Sequence, residues 1–302
     1  MTEPAKALTL QAGRQPVSWR DFLELTKPRV VALMILTAVI GMLLAEPGLP
    51  SWRALLFGNL GIALLAGAAA VVNHVVDQKV DTVMARTRKR PVATGRLAPL
   101  DALLFALTLA LAGMVVLVWQ VNLLTAWLTL ASLVGYAGVY TLFLKRATPQ
   151  NIVIGGLAGA MPPLLGWTAV TGQVDGHALL LVLIIFAWTP PHFWALAIHR
   201  KEEYAKAGIP MLPVTHGNRY TELHILLYTL MLLAASLLPF VTGLSGTLYL
   251  VGALVLGLRF LHYAIRLLRG DDRRVALATF KYSITYLMAL FVVLLVDHFA
   301  RF

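Results

Sequence analysis

The sequence contains no cysteine. Disulfides, thiolate metal centres and cysteine redox chemistry are therefore excluded. Charge is scarce as well. Only 13% of residues are Asp, Glu, Lys or Arg, about half the share of an ordinary soluble domain. Acidic residues are the scarcest, with 14 Asp and Glu against 25 Lys and Arg. A carboxylate beside an apolar run therefore needs a reason. No polar stretch is long enough for a separate soluble domain; the longest are Asn73–Pro99 and His199–Glu222. The residues before Lys27 are polar and mixed, without the layout of a cleavable leader. Residues 1–20 read as a mobile tail and 21–302 as one membrane domain.

Hydrophobic residues dominate instead, at 59% of the chain, with a mean hydropathy of +0.78. Runs long enough to cross about 30 Å of hydrocarbon lie near Val30–Ala45, Ala54–Val72, Leu100–Trp119, Leu123–Phe143, Asn151–Val170, Ala178–Ile198, Leu223–Val241, Thr247–Leu268 and Phe280–Phe299. The expected fold class is an all-α polytopic membrane protein with nine transmembrane helices. Gln120-Val121-Asn122 is short enough to make the third and fourth a tight hairpin. With the N-terminus cytoplasmic, all Lys and Arg except Arg53 and Arg301 fall on the cytoplasmic side. One span more or fewer would scatter them. The net charge of +11 is thus topological, and no nucleic-acid partner is expected. Asn73–Pro99 and His199–Glu222 stand four spans apart. Arg90-Pro-Val-Ala-Thr-Gly-Arg96 echoes Leu212-Pro-Val-Thr-His-Gly-Asn-Arg219. The expectation is two halves, about 25–146 and 147–270, sharing one cytoplasmic site, with a last helix over 280–299.

The chemistry-bearing residues sit in those two segments. Asn73, Asp77 and Asp81 recur every four residues, which stacks them on one helical face. Ionisable groups at a membrane edge are expensive and point to function. Two carboxylates and an amide oxygen suit Mg²⁺, which is usually bound together with substrate phosphates. Arg86, Arg88, Lys89 and Arg90 follow and supply guanidinium and ammonium groups for phosphate oxygens. The plainer alternative is a solvated helix end paired with Lys79 or Arg86; the whole set favours a diphosphate. In the second segment, His199 and Glu203 share a spacing of four, with Arg200 and Lys206 beside them. His192 lies about two turns deeper, where it either bonds a neighbouring helix or touches a ligand. Lys145 and Arg146 end the fourth span. Tyr140, one turn inside, is placed to shield a carbocation. Asn151 is expected to cap the fifth span, and Pro162-Pro163 to kink it. Arg259, His262 and Arg266 share a face of the eighth span and are expected to snorkel.

These residues give the chain its resemblance to a known family. Leu25-Thr-Lys-Pro-Arg29, Asn73-x₃-Asp77-x₃-Asp81, Arg86-Thr-x-x-Arg90-Pro91, the run from Leu144 through Asn151 to Gly156, and Pro191-His192-Phe193-Trp194 resemble the UbiA superfamily of intramembrane prenyltransferases. Tyr204 to Pro213 resembles its branch acting on heme. The resemblance implies nine helices around a central cavity and Mg²⁺ held by Asn73, Asp77 and Asp81 through the diphosphate. It implies basic positions at Arg90, Lys145 and Arg200. The superfamily's second motif, usually Asp-x₃-Asp, reads His199 and Glu203 here, so Glu203 is expected to act through Lys, Arg or water. The implied catalytic set is Asp77, Asp81, Arg90, Lys145 and Glu203. Asn73, Arg86, Tyr140, His192, His199, Arg200 and Lys206 would bind substrate. The implied reaction transfers farnesyl from farnesyl diphosphate to a vinyl group of heme b, with water adding a hydroxyl, in a bacterial-type cytoplasmic membrane with the site on its cytoplasmic side. Membrane lipid and heme-handling or oxidase-assembly proteins are the further partners implied. Rival readings are prenylation of an aromatic quinone precursor, a transporter, and a heme-binding assembly protein. The near absence of midplane charge argues against transport.

Overall fold

The computed structural model describes residues 17–84, 87–270 and 273–301. Among them there is no strand. The chain starts with a bent pair, α1 (Trp19–Leu25) and α2 (Pro28–Leu44), whose axes meet at 51°. Lys27 causes the bend: it takes a left-handed conformation, φ 52° and ψ 60°. The residue before a proline is pushed out of the helical region, and Pro28 then opens the next helix at its first position, where its missing N–H costs nothing. A capping box starts α1, with Ser18 Oγ accepting from the Arg20 amide at 3.3 Å and Asp21 accepting from the Ser18 amide at 3.0 Å. The helix thus begins inside the segment expected to be a tail, whose first sixteen residues lie outside those described.

Eight further helices are long and apolar enough to cross a bilayer. They are α3 (Ala54–Val76), α5 (Pro99–Gln120), α6 (Leu123–Leu144), α7 (Asn151–Thr171), α8 (Gly176–His199), α11 (Gly217–Val241), α12 (Thr247–Arg269) and α13 (Arg273–Arg301). The bent pair makes a ninth if it is one span. Short helices α4 (Gln78–Asp81), α9 (Lys201–Lys206) and α10 (Leu212–Thr215) lie in the two long polar segments. The α5–α6 hairpin is as tight as expected. Asn122 caps α6 by accepting from the Thr125 amide at 2.8 Å, and its Nδ2 donates to the Thr168 carbonyl of α7 at 2.8 Å.

Two groups of helices result. α2, α3, α5 and α6 form one, and α8, α11, α12 and α13 the other. α7 joins them. Its Asn151–Ala160 half packs on α6 and α8, and its Pro162–Thr171 half packs on α2. The α2–α7 crossing is backbone against backbone. A methyl group at Gly41 would overlap the Pro163 carbonyl, and one at Gly166 would overlap the Ala38 carbonyl, so both contacts require glycine. The start of α2 and the ends of α3 and α6 meet at one end of the bundle, and the candidate site lies there.

Candidate functional site

Asn73 and Asp77 end α3, and Asp81 ends α4. α3 and α4 meet at Asp77, and backbone bonds from Asp77 to Asn73 (3.0 Å) and from Asp81 to Asp77 (2.8 Å) carry through. The three side chains thus keep the shared face that their spacing predicts, and all are buried, Asp77 to 2% exposure. Asn73 Nδ2 donates to Asp77 Oδ2 at 2.8 Å. Neither carboxylate pairs with Lys79. Arg90 donates from one guanidinium nitrogen to both oxygens of Asp81, at 2.9 and 2.7 Å. Lys145 Nζ donates to Asp77 Oδ2, and Lys27 Nζ to Asn73 Oδ1. Cations thus alternate with carboxylate and amide oxygens. Lys27, Arg90 and Lys145 repel one another, and Asp77 and Asp81 offset that repulsion.

Local structure aims each cation. Arg90 is returned to the helix by a folded loop in which Thr87 Oγ1 donates to the Asp81 carbonyl (3.1 Å) and Gln78 Nε2 to that of Val92 (3.1 Å). Arg88 and Lys89 in the same loop are exposed, and Arg86 lies outside the described residues. Lys145 follows a π-helical stretch, Val134–Leu144, a form concentrated at functional sites. Asn151 Nδ2 donates to the Lys145 carbonyl at 3.1 Å. That corrects the expected role of Asn151, because Gln150 holds the cap position and Asn151 tethers the backbone of Lys145 instead. In the π-helical stretch, Tyr136 and Tyr140 stack at 5.5 Å. Tyr140 lies on Gly155, where a methyl group would overlap its ring.

The second segment has a different environment. His199 and Lys206 are exposed. α8 ends at His199 and α9 begins at Lys201, so the spacing of four spans a helix break. Glu203 approaches Arg200 at 4.0 Å, and its Oε2 has no hydrogen-bond partner. An apolar contact joins the two segments: Met84 packs with Ala197, Ile209 and Met211. His192 is buried between Trp188 (ring centroids 4.2 Å) and Phe280 (4.7 Å), with Nδ1 bonded to Ser283 Oγ of α13 at 2.7 Å. Arg259 lies over the Tyr282 ring at 5.2 Å. Among the described residues no three His, Asp or Glu side chains are arranged to hold a metal alone. Asp77 Oδ1 is nevertheless buried without a partner. That oxygen, with Asp81 and Asn73, fits a cation whose remaining ligands come from a substrate.

Lys27 was not among the residues singled out for the site. Its only signal is its place before Pro28 in the Leu25–Arg29 stretch. Between α1 and the ends of α3 and the Arg90 loop runs a groove of about 750 Å³, whose walls include Trp19, Glu24, Lys27, Arg29, His74 and Arg90.

The UbiA prenyltransferase family model matches residues 34–293. The chain is 89% identical over 296 residues, 97% of this chain and 98% of the relative, to the protoheme IX farnesyltransferase of Marinobacter nauticus. It is 71% identical to that of Hahella chejuensis, over 93% of this chain and 94% of the relative. Its fold is similar to a solved digeranylgeranylglyceryl phosphate synthase, with TM-score 0.81 and 17% identity over 93% and 98% of the two chains. It is also similar to a UbiA homolog from Archaeoglobus fulgidus bound to GPP and Mg²⁺, with TM-score 0.61 and 15% identity over 91% and 99%.

Proposed function

Since the chain belongs to the UbiA prenyltransferase family, we propose that it transfers a farnesyl group from farnesyl diphosphate to a vinyl group of heme b, with addition of water, giving heme O. The observation that carries the donor half is the alternation of Lys27, Arg90 and Lys145 with Asn73, Asp77 and Asp81. The acceptor half rests on the relatives named above, which match 97% and 93% of this chain.

The geometry suits ionisation of an allylic diphosphate. With Lys27 protonated, three cations against two carboxylates leave one positive charge in excess. A Mg²⁺–prenyl diphosphate unit, with one net negative charge, cancels it. Asn73, Asp77 and Asp81 would hold the metal, which would supply positive charge beside the departing diphosphate. Lys27, Arg90 and Lys145 are then free to turn to phosphate oxygens, where negative charge grows as the C–O bond breaks. Tyr136 and Tyr140 are placed to present ring faces to the allylic cation. The vinyl π-electrons form the new C–C bond. Water captures the resulting cation beside the porphyrin ring and loses a proton. His192, held by Ser283 between aromatic rings, is the group we assign to the heme side. Arg200, Lys206, His199 and Glu203 would contact the substrates from the outer cap. The Lys and Arg distribution supports assigning this end of the bundle to the cytoplasmic face of a bacterial-type inner membrane.

The test is direct. Purified protein in detergent, given heme b, farnesyl diphosphate and Mg²⁺, should yield a pigment heavier by farnesyl plus water, and EDTA should abolish it. Prenylation of 4-hydroxybenzoate in place of heme would overturn the acceptor assignment.

A further inference from the structure

His74 follows Asn73 on α3 and is only 2% exposed. Neither of its ring nitrogens has a hydrogen-bond partner, a costly state for a buried polar group that calls for an explanation. Among the described residues, the charged groups acting on the ring are the cations Lys27, Arg90 and Lys145. Of the nearby carboxylates, Asp81 gives both oxygens to Arg90 and Asp77 gives Oδ2 to Lys145, and the remaining Asp77 oxygen makes no bond to the ring. The surroundings are therefore rich in donors, and no described acceptor bonds the imidazole N–H. With Lys27 and Arg90, His74 also walls the groove under α1. A ligand completing this corner must be anionic and carry several acceptor oxygens. It must also reach three cationic groups together.

We propose that His74 is a further diphosphate-binding residue, donating its N–H to a non-bridging oxygen held by Lys27 and Arg90. This rests on the prenyl-diphosphate reading above, but it is testable without turnover. The ring lies one residue from Asn73 and so about 100° around the helix from the Asn73–Asp77–Asp81 face. The carboxylate face and His74 would then grip the diphosphate from two directions, which fixes the leaving group's orientation as well as its charge.

The experiment uses the full chain in detergent, with inorganic pyrophosphate and Mg²⁺ as the probe. Binding is followed by titration for wild type, His74→Gln and His74→Phe. Gln keeps an N–H donor and should bind within about threefold of wild type. Phe keeps the ring volume without the donor and should bind roughly tenfold more weakly. In turnover, His74→Phe should raise the KM for farnesyl diphosphate and leave that for heme unchanged. If His74→Phe does not fold, His74→Met takes its place. Equal pyrophosphate affinity in wild type and the apolar variant overturns the proposal. So does an equal loss in the Gln and apolar variants accompanied by a lowered Tm, which marks a purely structural ring. If pyrophosphate binding depends on His74 but wild type makes no farnesylated heme, the assigned reaction fails while the His74 site stands.

Discussion

The two long polar segments contain similar residue types and hold them in opposite ways. In the first, Asp77 and Asp81 are 2% and 4% exposed, and each is bound to a cation brought from elsewhere in the chain. In the second, His199 and Lys206 face outward, and the Arg200–Glu203 approach is a loose 4.0 Å between side chains a third or more exposed. Exposed pairs of that kind contribute little. Buried ones are costly to break from one side. Similar chemistry at the sequence level thus becomes a buried, paired charge cluster at Asn73–Arg90 and a more exposed, loosely paired one at His199–Lys206. Burial and long-range partners decide which.

The sharpest way to break this comparison is at the carboxylates. Asp77→Ala and Asp81→Ala should each lower kcat by at least about 100-fold while the purified protein keeps its helical circular dichroism. Near-normal turnover in both would remove the first segment from the chemistry. Next comes the guanidinium. Arg90→Lys keeps charge but loses the fork, so kcat/KM should fall by about tenfold, whereas Arg200→Lys should change it by less than about threefold. Packing behind the site is a smaller lever. Gly155→Ala forces the Tyr140 ring to move and should cost about 1–3 kcal/mol in denaturant or thermal unfolding, with activity reduced in step. Glu203→Gln should stay within about threefold of wild type in kcat. A loss matching that of Asp81→Ala would erase the contrast between the caps.

The smallest effect belongs to the exposed Glu202–Arg273 pair, 2.7 Å apart. The Arg273 hydrogen bond holds the Glu202 carboxyl below its ordinary range. A depressed carboxylate contributes stability above its unfolded pKa and loses it as pH falls through the folded one. Because the pair is fully exposed, Glu202→Gln should show no resolvable change in Tm between about pH 7 and pH 3.

Much of this was legible in the residues. Apolar length located the spans: Ala178–Ile198 is observed as Gly176–His199, and Thr247–Leu268 as Thr247–Arg269. A spacing of four placed Asn73, Asp77 and Asp81 together because helical geometry is local. What was hidden depends on partners distant in sequence. Lys27 reaches Asn73 across 46 positions and Lys145 reaches Asp77 across 68, and no periodicity encodes either. His199 and Glu203 keep their spacing of four, but the helix breaks at Arg200 between them, so spacing alone does not put them on one helical face. The start of α1 carried a readable sign, Ser18 three residues before Asp21, but the helix is short and polar and lacks the apolar length that marked the others.

The interleaved charges at Asn73–Asp81 have one more consequence. A metal ion arriving alone would draw the carboxylates away from Lys145 and Arg90 and strand those cations. A bare diphosphate would take the cations and strand the carboxylates. Either visitor alone thus gains one set of contacts by breaking another, and only the two together leave every charge matched. A site built this way would act as a coincidence detector, favouring the metal and the diphosphate together over either one alone.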